Sequence, residues 1–220
     1  MFTFKTFNNI AEDGLAVMAS KNINAVSENP DALILRSHKL VAEEFGHNLS
    51  AIARAGAGFN NIPVKNATDL GVVVFNTPGA NANAVKELVI CGMLLSSRGI
   101  VDGINFAKNL ESSDSDALNK MLEAQKKTFA GNELSGKTIG IVGLGAIGSM
   151  LAQASQALGM KLVGFDPHIS IDSAWRLPRE VEKAETLEEL LKKSDYVSLH
   201  VPLVEATKNL INADNLKYFK

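Results

Sequence analysis

Four glycines, Gly140, Gly143, Gly145 and Gly148, fall within residues 138–150, TIGIVGLGAIGSM. The last three keep the spacing G-x-G-x-x-G. Glycine gathers where a chain turns tightly or where a ligand must come close to the backbone. Spacing alone does not choose between these, but the flanks do. Ile139, Ile141 and Val142 precede the glycines as a buried strand would, and Ile147, Met150, Leu151, Ala154 and Leu158 follow at helical intervals. In a strand–turn–helix frame Gly143 permits the turn, Gly145 lets the backbone approach a pyrophosphate, and Gly148 lets the helix pack on the strand. The start of the helix then offers unpaired N–H groups and a positive dipole end to the phosphates. Such a site further requires a carboxylate about 20 residues onward for the ribose hydroxyls. Asp166 closes the stretch KLVGFD 23 residues after Gly143. A carboxylate there repels a 2′-phosphate, and Pro167, His168 and Ile169 bring no arginine to reverse the preference. The expected cofactor is NAD rather than NADP.

Other residues able to do chemistry are few. His38 and His47 lie in polar stretches expected to be exposed, His168 follows the ribose carboxylate, and His200 ends a strand at the cofactor end of the sheet. No His, Cys or carboxylate pair shows metal-ligand spacing, so no metal is expected. Cys91, the single cysteine, lies in an apolar helix and is expected in the core.

The elements that must position these residues alternate. FTFKTF (2–7), ALILRS (32–37), LSAIARAG (49–56) and VVVFNTP (72–78) predict strands with their exits. AEDGLAVMASK, KLVAEEFG and VKNATDLG predict the helices between them, the last two ending at Gly46 and Gly71. A long apolar helix follows from about Asn83 to Ser97, with Ala84, Leu88, Cys91 and Leu95 recurring on one stripe, and an amphipathic one from Asp116 to Lys127. ESSDSD (111–116) predicts a polar loop. A second series then runs through the glycine stretch, a helix over 149–158, the strand KLVGFD (161–166), the helix TLEELLKK (186–193) and the strand YVSLHVP (196–202). Alternation of this kind gives parallel sheets covered on both faces. The expected architecture is α/β: two doubly wound parallel-sheet (Rossmann/flavodoxin-like) domains joined by a long helix, divided as residues 1–90 and 91–220.

Bulk properties narrow the function classes. The chain has 220 residues, 46% of them hydrophobic and 21% charged, with a formal net charge of −2. That charge carries no electrostatic footprint for nucleic acid or an anionic membrane. The longest apolar run, Leu88 to Leu95, is far short of a membrane span. With one cysteine and no secretory signal pattern at the N-terminus, a cytoplasmic location is expected.

Taken together, ILRS (34–37), ARAGAGFNNIP (53–63), FNTPGANANAVKEL (75–88), GKTIGIVGLGAIG (136–148), GFDP (164–167) and HVPL (200–203) with Thr207 resemble the D-isomer-specific 2-hydroxyacid dehydrogenases in content and order. The resemblance spans all 220 residues. It implies that the first unit is most of a substrate domain and the second an NAD domain. By resemblance the backbone of Ala55, Gly56, Ala57 and Gly58 meets the substrate carboxylate, with Ala57 also at the nicotinamide edge, and Arg36 and Arg54 face a phosphate on the substrate. Gly143, Gly145, Ala146, Ile147, Gly148, Asp166, Val201, Pro202 and Thr207 are implied on the cofactor side, although many relatives carry arginine where Ala146 stands. Asn81 and Glu87 match family positions at the start of the linking helix. The family's catalytic arginine, acidic residue and histidine match nothing here, His200 included. No catalytic residue is therefore expected in these 220 residues, and the family's set is expected downstream of Lys220. The chain is expected to be a fragment with an incomplete second sheet. The implied reaction moves a hydride between NAD and C2 of 3-phospho-D-glycerate, in serine biosynthesis. The alternatives are another D-2-hydroxy acid, such as glyoxylate/glycolate or D-lactate, or a non-catalytic NAD-sensing module. A homodimer or higher homo-oligomer is expected, with its seam on the 83–97 and 116–127 helices.

Overall fold

A computed structural model describes residues 2–111 and 114–220. Two compact units divide the chain, residues 1–81 and 82–220, and each has its own sheet and core. In the first unit the strands are β1 (Thr3–Thr6), β2 (Asn24–Ala25), β3 (Ala32–Leu35), β4 (Ala51–Arg54) and β5 (Val73–Asn76), with helices α1 (Glu12–Ser20) and α2 (Val64–Asp69). All pairs are parallel and the order is β2-β1-β3-β4-β5. This is the doubly wound order whose direction of winding reverses between β1 and β3, which opens a crevice at their C-terminal ends. In-register Leu33, Ile52 and Val74 point to one face and build the core with Leu35, Leu40, Leu49, Ile62, Ala67 and Val72.

Three local expectations fail in this unit. KLVAEEFG forms only a one-turn 3₁₀ helix, Ala42–Glu44, and Gly46 is not a helix cap. Val41 and Phe45 on either side are extended, and the Glu44 carboxylate turns back to accept from Val41 N. Burial of Leu40 and packing of Phe45 against the core outweigh helix propensity there. Gly71, by contrast, takes φ +70°, the left-handed geometry of a helix C-cap. The short strand β2 lies outside the predicted strands. The first sheet is also not covered throughout, because Val73 and Phe75 on β5 stay exposed.

The second unit contains α3 (Ala82–Ser97), α4 (Ile100–Lys108), α5 (Ser115–Gln125), β6 (Thr138–Val142), α6 (Ala146–Ala157), β7 (Lys161–Phe165), α7 (Ile171–Ala174), β8 (Val181–Lys183), α8 (Leu187–Lys193), β9 (Tyr196–Leu199) and α9 (Ala213–Leu216). Its parallel sheet runs β8-β7-β6-β9, with β6 in the interior between β7 and β9. That is the 3-2-1-4 portion of the dinucleotide-binding order, and its switch point lies between β6 and β9. Ile139, Ile141, Leu144, Leu151 and Leu162 pack on one face of this sheet with Met93 of α3. Val142, Val163, Leu190 and Leu191 pack on the other. Of the polar stretch 111–116, residues 112 and 113 lie outside the described residues, and Asp114 caps α5 by accepting from Asp116 N.

Helix α3 has nearly the expected bounds but turns a different stripe inward. Met93 and Ser97 are buried and Val89 and Ile90 pack on the core, whereas Leu88, Cys91 and Leu95 are exposed. Cys91 is therefore a surface residue and not a core one. Where a helix is apolar on most sides, periodicity marks a stripe without saying which stripe faces inward. Among the described residues no helix is long and apolar enough to cross a membrane.

Candidate functional site

At the switch point of the second sheet each glycine of the loop is required for a different reason. Gly143 takes φ +89°, and a side chain there would strike the His200 backbone at 2.8 Å. A side chain on Gly148 would run into the carbonyl oxygen of Gly143, so this glycine sets how closely α6 approaches the end of β6. Around Gly145 a side chain would meet nothing within 4 Å. The fold has no need of a glycine at 145, and that space is what an approaching phosphate group would use.

Gly145 is also the N-cap of α6 and has no side chain to satisfy the helix start. Ser149 N reaches Gly145 O, and the N–H groups of Ala146, Ile147 and Gly148 ahead of it are the ones a helix start leaves unpaired. Asp166 follows β7 directly. Its Oδ2 accepts from Leu144 N at 2.8 Å and its Oδ1 from His168 N at 2.9 Å. One carboxylate thus ties the glycine loop to the end of the neighbouring strand, and each oxygen keeps lone-pair capacity for a hydroxyl. These groups fit a dinucleotide: free amides for a pyrophosphate, open space at 145, and an acceptor pair for a ribose.

The other residues expected on the cofactor side take different parts. Val201 packs into the core beside the loop, and Pro202 is exposed. Thr207 spends its hydroxyl on the turn itself, donating to Pro202 O and accepting from Val204 N. His200 donates its backbone N–H to Val142 O at 2.7 Å, and its Nε2 lies 2.8 Å from Ser198 Oγ. Burial pushes its imidazole below the ordinary histidine range. His168 is exposed, as is His47. Lys220 is no part of the site. Its Nζ lies 3.2 Å from Asp195 Oδ1, and Asp195 Oδ2 accepts from Thr138 N, so this pair sits at the start of β6, the opposite end from the glycine loop.

In the first unit the expected substrate residues gather at the C-terminal ends of β3 and β4. Ala55 N donates to Leu35 O and Gly56 N to Arg54 O. Among the described residues no acceptor takes the amides of Ala57 and Gly58. Asn76 Nδ2 donates to Ala57 O at 2.7 Å and Thr77 N to Gly56 O at 3.0 Å, which fixes the turn from β5. Arg54 lies folded over its own loop. Its Nε donates to Arg36 O at 3.0 Å and its Nη1 to Gly58 O, and a side chain on Gly58 would collide with this guanidinium. The Arg36 side chain is exposed, and among the described residues no hydrogen bond or ion pair engages its guanidinium. His38, expected to be exposed, is instead half-buried. It stacks on Phe7 at 4.2 Å and its Nε2 is 2.9 Å from Glu44 Oε1. Glu87 pairs locally with Asn83, while Asn81 is exposed. Sequence reasoning missed Asn8 and Asn61, whose amides hold the Arg36 segment. The only signal was an Asn-Asn doublet at each of two strand exits, NN at 8–9 and at 60–61.

A doubly wound sheet with a glycine loop, a helix start and a strand-terminal carboxylate at its switch point defines a dinucleotide-binding protein. Residues 102–220 match the profile of the D-isomer specific 2-hydroxyacid dehydrogenase family, NAD binding domain, and the chain belongs to that family. Its second unit binds NAD. The chain is 39% identical over 193 residues to a hydroxypyruvate reductase of Thermotoga maritima, covering 86% of this chain and 57% of that protein. It is 35% identical over 196 residues to a D-3-phosphoglycerate dehydrogenase of Methanocaldococcus jannaschii, covering 88% and 35%. It thus spans a little over half of one relative and about a third of the other. A crystal structure of NAD+-bound 3-phosphoglycerate dehydrogenase from Entamoeba histolytica superposes with a TM-score of 0.73 at 26% identity, covering all of this chain and 68% of that one. Among the described residues no group of three or more His, Cys, Asp or Glu could hold a metal ion.

Proposed function

We propose that the chain serves NAD-dependent oxidation of 3-phospho-D-glycerate to 3-phosphohydroxypyruvate, the serine-biosynthetic reaction, in the cytoplasm. One observation carries this reading. At one end of the first sheet Arg54 bridges the carbonyls of Arg36 and Gly58, which places an uncommitted guanidinium and two uncommitted amides on the same frame. A phosphate on Arg36 and a carboxylate on the amides of Ala57 and Gly58 is the pattern this substrate would satisfy. Likeness to D-3-phosphoglycerate dehydrogenases supports it. NAD, when bound, supplies the hydride chemistry. The chain's own residues bind and orient: the amides of Ala146, Ile147 and Gly148 hold the pyrophosphate, Asp166 holds the ribose, and Val201 and Pro202 border the cofactor.

A charge-assisted hydrogen bond contributes about 1.5–3 kcal/mol, so Arg36→Ala should weaken 3-phosphoglycerate binding tenfold or more, roughly. Calorimetry against this ligand and against hydroxypyruvate, which has no phosphate, provides the test. Equal losses for both would make Arg36 structural and end the phosphate reading. The 39% identity to a hydroxypyruvate reductase favours a second reading, in which the smaller acid is the substrate and is held by the amides alone. Tighter binding of hydroxypyruvate than of 3-phosphoglycerate by the unaltered chain would select it. Binding of NAD with neither acid would select an NAD-sensing module.

The proposed partner is a second copy of the chain. Leu88 is 72% exposed on α3 beside exposed Cys91 and Leu95, and Met121 and Leu122 on α5 are exposed too. Large apolar side chains along one helix face are costly in water and are covered in oligomers. Leu88→Lys combined with Leu95→Lys should lower the mass measured by light scattering from dimer to monomer. A dimer that persists would place the seam elsewhere.

A further inference from the structure

We infer that Asn8 is a positioning residue for the substrate site: its side-chain carbonyl fills the hollow made by three successive backbone amides and so fixes the turn that carries Arg36. The inference rests on the reading of Arg36 as the phosphate contact. Asn8 Oδ1 accepts from Arg36 N at 3.3 Å, Ser37 N at 2.9 Å and His38 N at 2.8 Å. On its other side the same turn is gripped by its carbonyls. Arg36 O accepts from Arg54 Nε at 3.0 Å and Asn61 Nδ2 at 3.3 Å, and His38 O accepts from the same Asn61 Nδ2 at 2.7 Å. Side chains from three distant segments, at 8, 54 and 61, therefore hold the backbone of residues 36–38 where the ladder of β3 has ended.

Successive amides pointing into one hollow make an anion site when the hollow is open. Here a neutral amide oxygen occupies it, so the hollow holds the turn in place and an incoming phosphate is left to the Arg36 guanidinium. Asn8 itself sits at φ +67°, a left-handed conformation that asparagine tolerates far better than most side chains. An exposed arginine at a strand exit would otherwise lose backbone freedom each time it bound. A turn already fixed by the fold has met that cost beforehand.

The test compares Asn8→Gly with Asn8→Asp in the 220-residue chain. Glycine keeps the left-handed backbone and removes only the acceptor, whereas aspartate keeps both. Amide hydrogen exchange and a 3-phosphoglycerate titration followed by NMR are the readouts. Asn8→Gly should expose the amides of 36, 37 and 38 to exchange and weaken binding roughly three- to tenfold, within the range of one net hydrogen bond. Asn8→Asp should preserve both. In the Arg36→Ala background Asn8→Gly should bring no further loss of affinity, which a general destabilisation would not spare. Unchanged exchange at 36–38, or losses that simply multiply with those of Arg36→Ala, would overturn the inference. Failure of the underlying reading looks different, since Arg36→Ala alone would then weaken 3-phosphoglycerate and hydroxypyruvate binding equally, or weaken neither.

Discussion

Asp166 is a residue with two duties, and they can be separated. Its oxygens hold Leu144 N and His168 N within the protein, and we propose that its charge disfavours a 2′-phosphate. Asp166→Asn keeps an acceptor and removes the charge. With His168→Arg added it should weaken NAD and admit NADP, read by titrating both dinucleotides; an unchanged preference would count against the ribose assignment. His200 is a second case. Burial lowers its pKa below 6.5 in the fold, so as pH falls through about 6.5 the unfolded chain takes up a proton before the folded one does. Stability of the second unit should therefore decline from about pH 7 toward pH 5, and His200→Gln should flatten that decline. Asp195 works in a different window. Its bond from Thr138 N, helped by Lys220 beside it, holds its carboxyl below the usual value of 3.8, so its contribution is lost only as pH falls past the ordinary carboxylate range. Denaturant melts at several pH values distinguish the two. Sequence alone located Asp166, because motif spacing is local. It could not find Asn8 or Asn61, whose partners lie 23 to 30 residues away along the chain.

At the scale of the element, the glycine loop allows folding to be told apart from binding. Gly143→Ala and Gly148→Ala should each destabilise the second unit by several kcal/mol, roughly, since one is strained and the other collides with backbone. Gly145→Ala has open space and should change stability by about 1 kcal/mol or less, yet reduce NAD affinity at least about tenfold by obstructing the phosphate. Thermal melts set beside calorimetry check this, and a Gly145→Ala variant that binds NAD normally would remove the ligand-based explanation of that glycine. The longer strands and the helices α2 and α8 were legible, whereas the two- and three-residue edge strands β2 and β8 were not; in the fold Thr186 caps α8 by accepting from Glu189 N. Helix α4 was not. It carries Gly103 in its interior and rests Phe106 against Phe129, with ring centroids 5.3 Å apart, so packing decides it where propensity does not.

For the molecule as a whole, the expectation is that the chain binds NAD but carries no catalytic base. His200 is bonded to Ser198 and is desolvated. We expect the 220-residue chain to bind NAD and, mixed with 3-phosphoglycerate, to show no turnover in nicotinamide absorbance above a rate about 10²–10⁴ below that of an enzyme with its base in place. Turnover near full enzyme rates, abolished by His200→Gln, would make His200 the base and overturn that expectation.

The sequence by itself determined the parallel α/β class, the glycine loop with its carboxylate, and the exits of the strands that carry Arg36 and the Ala57–Gly58 turn. These rest on periodicity and short spacings, which a chain carries locally whatever its final packing. Tertiary structure alone decided which stripe of α3 faces inward, that KLVAEEFG stays a single turn, and that Arg54 is spent bracing Arg36 and Gly58. Each of these turns on partners far apart in the chain, and burial or hydrogen bonding settles them only once the sheets have brought those partners together.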